Sequence, residues 1–274
     1  MVHIAEVELA KIVDASKTIS KASRISTIKM TSVAAVSHVG SGLSVVDILS
    51  SAFSLYSFQN KIDCLDLILS KGHAAAALYA VLDSLKLLDA SLENYCKDGS
   101  TIYGHINHKA SKKIPLSTGS LGHGLPFGLG MAMASRMKQE EKRIVVVISD
   151  GELNEGTTWE SALLANHHNL TNLTVIVDRN RIQSLGDTEH ILKLDPLFPK
   201  WKSFGWDVVE IDGHDHKSIL QALLKETKNP LCVIANTVKG KGVSFMENEL
   251  MWHYRFASPE EVEMAICEIE KSYT

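Results

Sequence analysis

Five short runs constrain this chain more than anything else in it: "DLILS" at 66–70, "RIVVVIS" at 143–149, "LTVIVD" at 173–178, "DVVEI" at 207–211 and "PLCVIANT" at 230–237. They are apolar nearly throughout rather than at alternate positions, and a strand of that kind has both faces covered. Helical patterns lie between them: "AAAALYAVLDSLKLL" follows the first run, "TTWESALLANHHNL" the second and "HKSILQALLKET" the fourth. Strands alternating with helices specify right-handed crossovers. The expected fold is therefore α/β, a doubly wound parallel sheet with helices on both faces and a ligand crevice at the carboxyl ends of the strands.

The remaining segments fit around that sheet. The first 37 residues carry apolar positions at helical spacing with no Pro or Gly, and read as two helices. "SHVGSGLS" interrupts at 37–44, and the helical pattern resumes after Ser44, read as an N-cap. Residues 99–118 read as loop and "GSLGHGLPFGLGMAMASRMK" as a helix of small residues. With 274 residues, 45% hydrophobic and 22% charged, and no repeat or low-complexity linker, the chain reads as one domain over 1–274, with N-terminal helices of about 1–60 packed on the sheet.

Composition also excludes some classes of partner. A net charge of -4 with dispersed basic residues gives no electrostatic reason to expect nucleic acid or an anionic membrane. The apolar stretches read as too short to span a bilayer, and the acidic start "MVHIAEVELAK" is no signal peptide, so a cytoplasmic location is expected. Cys64, Cys96, Cys232 and Cys267 have no paired spacing and read as buried reduced thiols.

Chemistry is expected in the loops that follow the strands: "KGH", "SDG", "DRNRIQ", "DGHD" and "TVKGKG". Asp150-Gly151 suits a turn. An acid at a strand end, beside a helix N-terminus and a second polar loop, also suits magnesium and a diphosphate. Asn180 lies 30 residues after Asp150, the length of one strand, helix and return strand, which would put two oxygen ligands on adjacent strand ends. His38, His73 and His105 sit in separate Gly-flanked loops, with His253 in a fourth.

Together "SDGELNEG" and "VDRN" resemble the thiamine diphosphate motif, which runs from Gly-Asp-Gly to Asn over about thirty residues. "SHVGSGLSVVDIL", "LSKGHAAAALYAVL", "YGH", "STGSLGHGLPFGLGMA" and "NTVKGKGVSFMENELMWH" extend the resemblance, to transketolases, over roughly residues 20–255. In that family the first half of the polypeptide binds the diphosphate and metal, and the second half binds the aminopyrimidine. The resemblance implies the N-terminal subunit of a split transketolase. Its reaction moves a two-carbon ketol unit from a ketose or ketose phosphate to an aldose, with thiamine diphosphate and magnesium, or calcium or manganese in its place. A separate C-terminal, pyrimidine-binding subunit would supply the cofactor-activating glutamate, in an α2β2 assembly.

Carried over by position, Asp150, Asn180 and the Ile182 carbonyl would hold the metal. Gly119, Leu121, Gly122 and Gly151 would lie against the cofactor, His73 and His253 would face the diphosphate and reaction centre, and His38 and His105 would touch sugar hydroxyls. Imidazoles suit proton transfer near neutral pH. Glu155 matches an acid near the family's dimer axis, although acids at a helix start, Glu160 included, also favour the macrodipole.

Four residues depart from the pattern: Ser149 for Gly, His123 for Gln, Val39 for Pro and Tyr254 for Gly. They shift the expected substrate toward a specialised sugar pathway. The alternatives are a deoxyxylulose phosphate synthase-like chain, a 2-oxo acid dehydrogenase α subunit, or a non-catalytic paralogue. A nicotinamide-binding Rossmann protein is discounted, because no Gly-x-Gly-x-x-Gly opens the helix after an early strand.

Overall fold

The computed structural model describes residues 5–273. Its N-terminal segment is one helix, α1 (Glu6–Val33), where the sequence suggested two. Nothing in it breaks a helix, and its buried face is built from small polar residues such as Ser16, Ser20, Ser23 and Thr27. The next helix, α2 (Val39–Phe58), starts five residues before the expected cap, and Ser44 lies buried inside it. Gly40 and Gly42 are contact points rather than breaks. A Cβ on Gly42 would stand 3.1 Å from Thr27 Cγ2, and one on Gly40 3.3 Å from Trp252 Cβ. Contrary to the reading of its sequence, α2 is long and apolar enough to cross a bilayer, with a mean hydropathy of 1.3. It is instead a core helix, 94% buried, packed by α1, α3 (Ala75–Ser84) and α8 (His216–Leu224).

The strands β1 (Leu65–Leu69), β2 (Arg143–Ser149), β3 (Leu173–Arg179), β6 (Asp207–Asp212) and β7 (Leu231–Asn236) form one sheet in the order β1-β2-β3-β7-β6. Every pairing in it is parallel. Alternate residues of each strand enter separate cores, as a doubly covered sheet requires. Val145 and Val147 of β2 join the core under α1, α2, α3 and α8. Ile144, Val146 and Ile148 join the core under α4 (Gly124–Met137), α5 (Gly156–His167) and α7 (Leu197–Ser203). Each such side chain contributes about 1.5–3 kcal/mol by leaving water.

A small hairpin of β4 (Ile182–Gln183) and β5 (Gly186–Asp187) follows β3 and leads into the single turn α6 (Thr188–Ile191). The last helix, α9 (Pro259–Ser272), opens with a capping box between Ser258 and Glu261. With Trp252 and Met246 it covers the start of α2 in a third cluster.

Residues 119–123, expected as helix, are loop. Gly122 has φ +83°, a left-handed turn just before α4 begins. Only Cys232 among the four cysteines is buried, and Cys267 is exposed, so the expectation of four buried thiols fails.

Candidate active site

At the carboxyl edge of the sheet, loops from widely separated parts of the chain enclose a cleft of about 220 Å³. Parallel pairing of β2 with β3 sets Ser149 opposite Asp178, so the residues just past each strand end, Asp150 and Asn180, project into one space. Asp150 is oriented by the protein. Its Oδ1 accepts from Gly151 N at 2.8 Å and its Oδ2 from Arg181 N at 2.6 Å, with Arg179 Nη1 more distant at 3.4 Å. The Asn180 Oδ1 accepts from Ile182 N at 3.1 Å, which turns the Ile182 segment across the same cleft.

Four histidines converge beside this oxygen set. The His38 ring lies 4.8 Å from His253, 5.3 Å from His73 and 5.8 Å from His105, centroid to centroid. His38 reaches that position through a left-handed backbone, φ 75° and ψ 14°, at the N-cap of α2. Non-glycine residues adopt this conformation at a cost of about 1–3 kcal/mol, and it persists only where surrounding structure imposes it. Here the His38 N–H donates to the His253 carbonyl at 3.2 Å, and Ser37 Oγ lies 2.7 Å from His38 Nδ1.

Two lysines stand at and behind the cleft wall, and sequence reasoning passed over both. Lys71 and Lys239 are almost wholly buried. The Lys71 ammonium donates to Asp178 Oδ2 at 2.5 Å and to the Ser41 carbonyl at 3.1 Å. That of Lys239 donates to the Ile182 carbonyl at 3.1 Å and lies 3.1 Å from His253 Nδ1. Burial, with Lys71 nearby, lowers the Lys239 pKa to about 8 against the pull of Asp150 and Asp178. Burial first, then His105 and the two lysines, lowers His38 to about 4. Burial, then Lys239, lowers His253 to about 3, and His73 lies well below the ordinary value because of its burial and Lys71. These three imidazoles are therefore neutral, able to accept a proton as well as donate one.

The residues fit a metal and a diphosphate. Asp150, Asn180 and the Ile182 carbonyl are hard oxygen donors of the kind magnesium takes alongside phosphate oxygens and water. Burial and the Asp178 charge raise the Asp150 pKa, so its carboxylate is under-compensated by the protein and suited to a cation. Lys71, paired with Asp178, and the buried Gln183 Nε2, which has no hydrogen-bond partner, line the same cleft, and Lys239 stands behind its Ile182 and His253 wall, so that positive charge and a free donor face an anion there. Among the described residues no three His, Cys, Asp or Glu side chains converge as metal ligands, so the histidines form no transition-metal cage.

The family described as "Transketolase, thiamine diphosphate binding domain" matches residues 15–266. The chain belongs to this transketolase family. It is 38% identical over 242 residues to one subunit of the apulose-4-phosphate transketolase of Actinobacillus succinogenes, covering 85% of this chain and 87% of that one. A 6-deoxy-6-sulfo-D-fructose transketolase subunit of a Clostridium species is 36% identical, with coverage of 86% and 89%. The transketolase crystal structure from Campylobacter jejuni superimposes with a TM-score of 0.83 at 27% identity, over 95% of this chain and 43% of that one. The transketolase-family chain described here thus matches most of the length of those single subunits and less than half that of the Campylobacter enzyme.

Ten of the residues singled out in the sequence line the cleft: His38, His73, His105, Gly119, Leu121, Asp150, Gly151, Asn180, Ile182 and His253. Two lie outside it. Gly122 is required by protein packing, since a Cβ there would stand 2.6 Å from Thr157 Oγ1 and 2.8 Å from Glu155 Cβ. Glu155 is exposed at the N-cap of α5, and Glu160 is exposed one turn further on.

The motif's other acid, Glu152, is wholly buried. It accepts from Ser70 Oγ and from Gly122 N at 2.9 Å, and so ties the loops after β1 and before α4 to the end of β2. Ser149 closes that strand, where no glycine backbone is needed, and its Oγ accepts from Glu152 N at 3.3 Å. The signal for the two lysines was their position: a cation in the loop just past an apolar strand, in "SKGH" and "TVKGKG".

Proposed function

We propose that this chain is the metal- and diphosphate-binding subunit of a two-component transketolase, folded as one domain and working in the cytoplasm. The observation that carries the reading is the convergence of Asp150, Asn180 and Ile182 oxygens with buried Lys71 and four histidines in one cleft, backed by Lys239 behind Ile182 and His253. Asp150, Asn180 and the Ile182 carbonyl hold magnesium, or calcium or manganese. Lys71 and Lys239 would offset part of the charge of a bound diphosphate, and the Gln183 amide would donate to it. When bound, thiamine diphosphate supplies the nucleophilic carbon and the electron sink for breaking a ketose C–C bond. His73 and His253 hold and move protons at the reaction centre, and His38 and His105 orient sugar hydroxyls.

A separate pyrimidine-binding subunit completes the site in an α2β2 assembly, with Glu155 on the exposed start of α5 turned toward a neighbouring subunit. No nucleic acid or membrane enters this scheme. The donor is a ketose or ketose phosphate of a specialised pathway, a reading supported by relatives named for apulose 4-phosphate and 6-deoxy-6-sulfo-D-fructose. The test is calorimetry of thiamine diphosphate with magnesium on the complex with its C-terminal partner, followed by assays of ketose cleavage and pyruvate decarboxylation. Binding with ketose cleavage is expected. Absence of binding in the intact complex removes the enzymatic reading, and faster pyruvate decarboxylation moves the chain to a 2-oxo acid class. Efficient turnover of xylulose 5-phosphate with ribose 5-phosphate, other donors being poorer, would refute the specialised donor.

A further inference from the structure

We propose that Tyr254 sets the size limit of the sugar admitted to the cleft, an inference that rests on the transketolase reading above. The residue stands where the resemblance to the family has glycine, and its backbone, φ -114° and ψ -32°, is one any residue adopts. Tyrosine there costs no strain. Its hydroxyl donates to the Ser184 carbonyl, in the turn of the β4–β5 hairpin. Ser184 and His253 both line the cleft, so Tyr254, which is not itself a lining residue, links two of its walls from the rim. The phenol ring also lies against the His253 imidazole, at 5.1 Å and 70°.

Both ends of this bridge are anchored. On one side the ladder pairs Ile182 with Asp187 and Gln183 with Gly186, which fixes the turn that carries Ser184. On the other, Trp252 is buried and donates through Nε1 to the Phe245 carbonyl at 2.8 Å. Arg255 lies over the Trp252 ring at 4.2 Å and pairs with Glu261 at the start of α9 at 2.6 Å. Tyr254 is thus held between two fixed neighbours. This half-exposed aromatic ring stands at the rim beside His253, where its apolar face can meet the C–H groups of a longer sugar. Glycine would leave neither ring nor bridge.

The test uses the complex with the C-terminal partner and compares kcat/KM for a short-chain and a longer-chain ketose phosphate. Tyr254→Gly is expected to raise the ratio of longer to shorter donor by about tenfold, the scale on which pocket size discriminates. Tyr254→Phe keeps the ring and removes the bridge. It should raise the ratio less, and it should speed amide hydrogen exchange at residues 182–186 in the assembled complex, a readout independent of turnover. An unchanged donor ratio in both variants, with the wild-type complex active, overturns the proposal. A wild-type complex that cleaves no ketose refutes the functional reading instead, and this proposal falls with it. The wild-type rate tells the two failures apart.

Discussion

Asp47 and Asp150 are both almost completely buried, and the protein treats their charges in opposite ways. Asp47, in α2, accepts hydrogen bonds from Ser20, Arg24 and His214, with His216 Nε2 at 3.3 Å. His214 Nε2 accepts from Val238 N at 2.8 Å, so the ring is neutral with its proton on Nδ1, directed at Asp47. Burial alone would raise the Asp47 pKa, but Arg24 and the two histidines hold it well below the usual range. Around Asp150 the balance is reversed: burial and Asp178 outweigh the distant Arg179, and the pKa rises. The Asp47 knot borders a larger cleft of about 850 Å³, yet its carboxylate is fully compensated from within. Size alone therefore does not mark the proposed site. A buried charge left for something outside the chain to neutralise does.

The sharpest break in that comparison is to remove each carboxylate. Asp150→Asn should lower the activity of the reconstituted enzyme by at least about 100-fold, more than the loss typical of outer-shell partners of a metal. It should move the melting temperature of the free chain little, since the lost charge is poorly compensated. Asp47→Ala should do the converse: it leaves Arg24 buried and unpaired, costing about 3–5 kcal/mol. Calorimetric melting should show a drop on the order of 10 °C, with thiamine diphosphate affinity of the folded complex retained.

Acid titration sharpens the same contrast. Because the folded pKa of Asp47 lies below its unfolded value of about 3.9, the stability it contributes is fully present above that pH and lost as pH falls through the folded pKa. The stability difference between wild type and Asp47→Asn, followed by denaturant unfolding, should be constant from neutral pH to about 5 and shrink below about 4. A difference that stays constant down to the acid unfolding limit would show that Asp47 is not held ionised by its neighbours. The smallest effect belongs to Ser149→Gly, which removes only the acceptor for Glu152 N. Denaturant titration should register about 0.5–1 kcal/mol, with the metal affinity unchanged.

Much of this architecture is legible in the chain itself. The sheet can be read because a strand covered on both faces must be apolar on both, and "RIVVVIS" supplies β2 with residues for two separate cores. Asp150 and Asn180 can be read because adjacent parallel strands end side by side. The start of α2 cannot. Gly40 and Gly42 look like a break in sequence and act as close contacts in space, a distinction that depends on Thr27 and Trp252, both remote in the chain. Lys71 and Lys239 escape notice for a related reason, since only tertiary packing buries a loop lysine against Asp178 or Ile182. The same holds for Glu152, whose partners Ser70 and Gly122 come from other loops.

The hydrogen bond from His38 to the His253 carbonyl joins the second helix to a loop near the end of the described chain. During synthesis the amino-terminal helices and the first strands leave the ribosome well before residue 253 does, and local elements form far faster than translation proceeds. Until then nothing from the late loop can hold His38 left-handed, and Trp252 is not yet packed on Gly40. The nascent chain therefore acquires its scaffold early and its histidine cluster last, and a truncated translation product would lack that cluster.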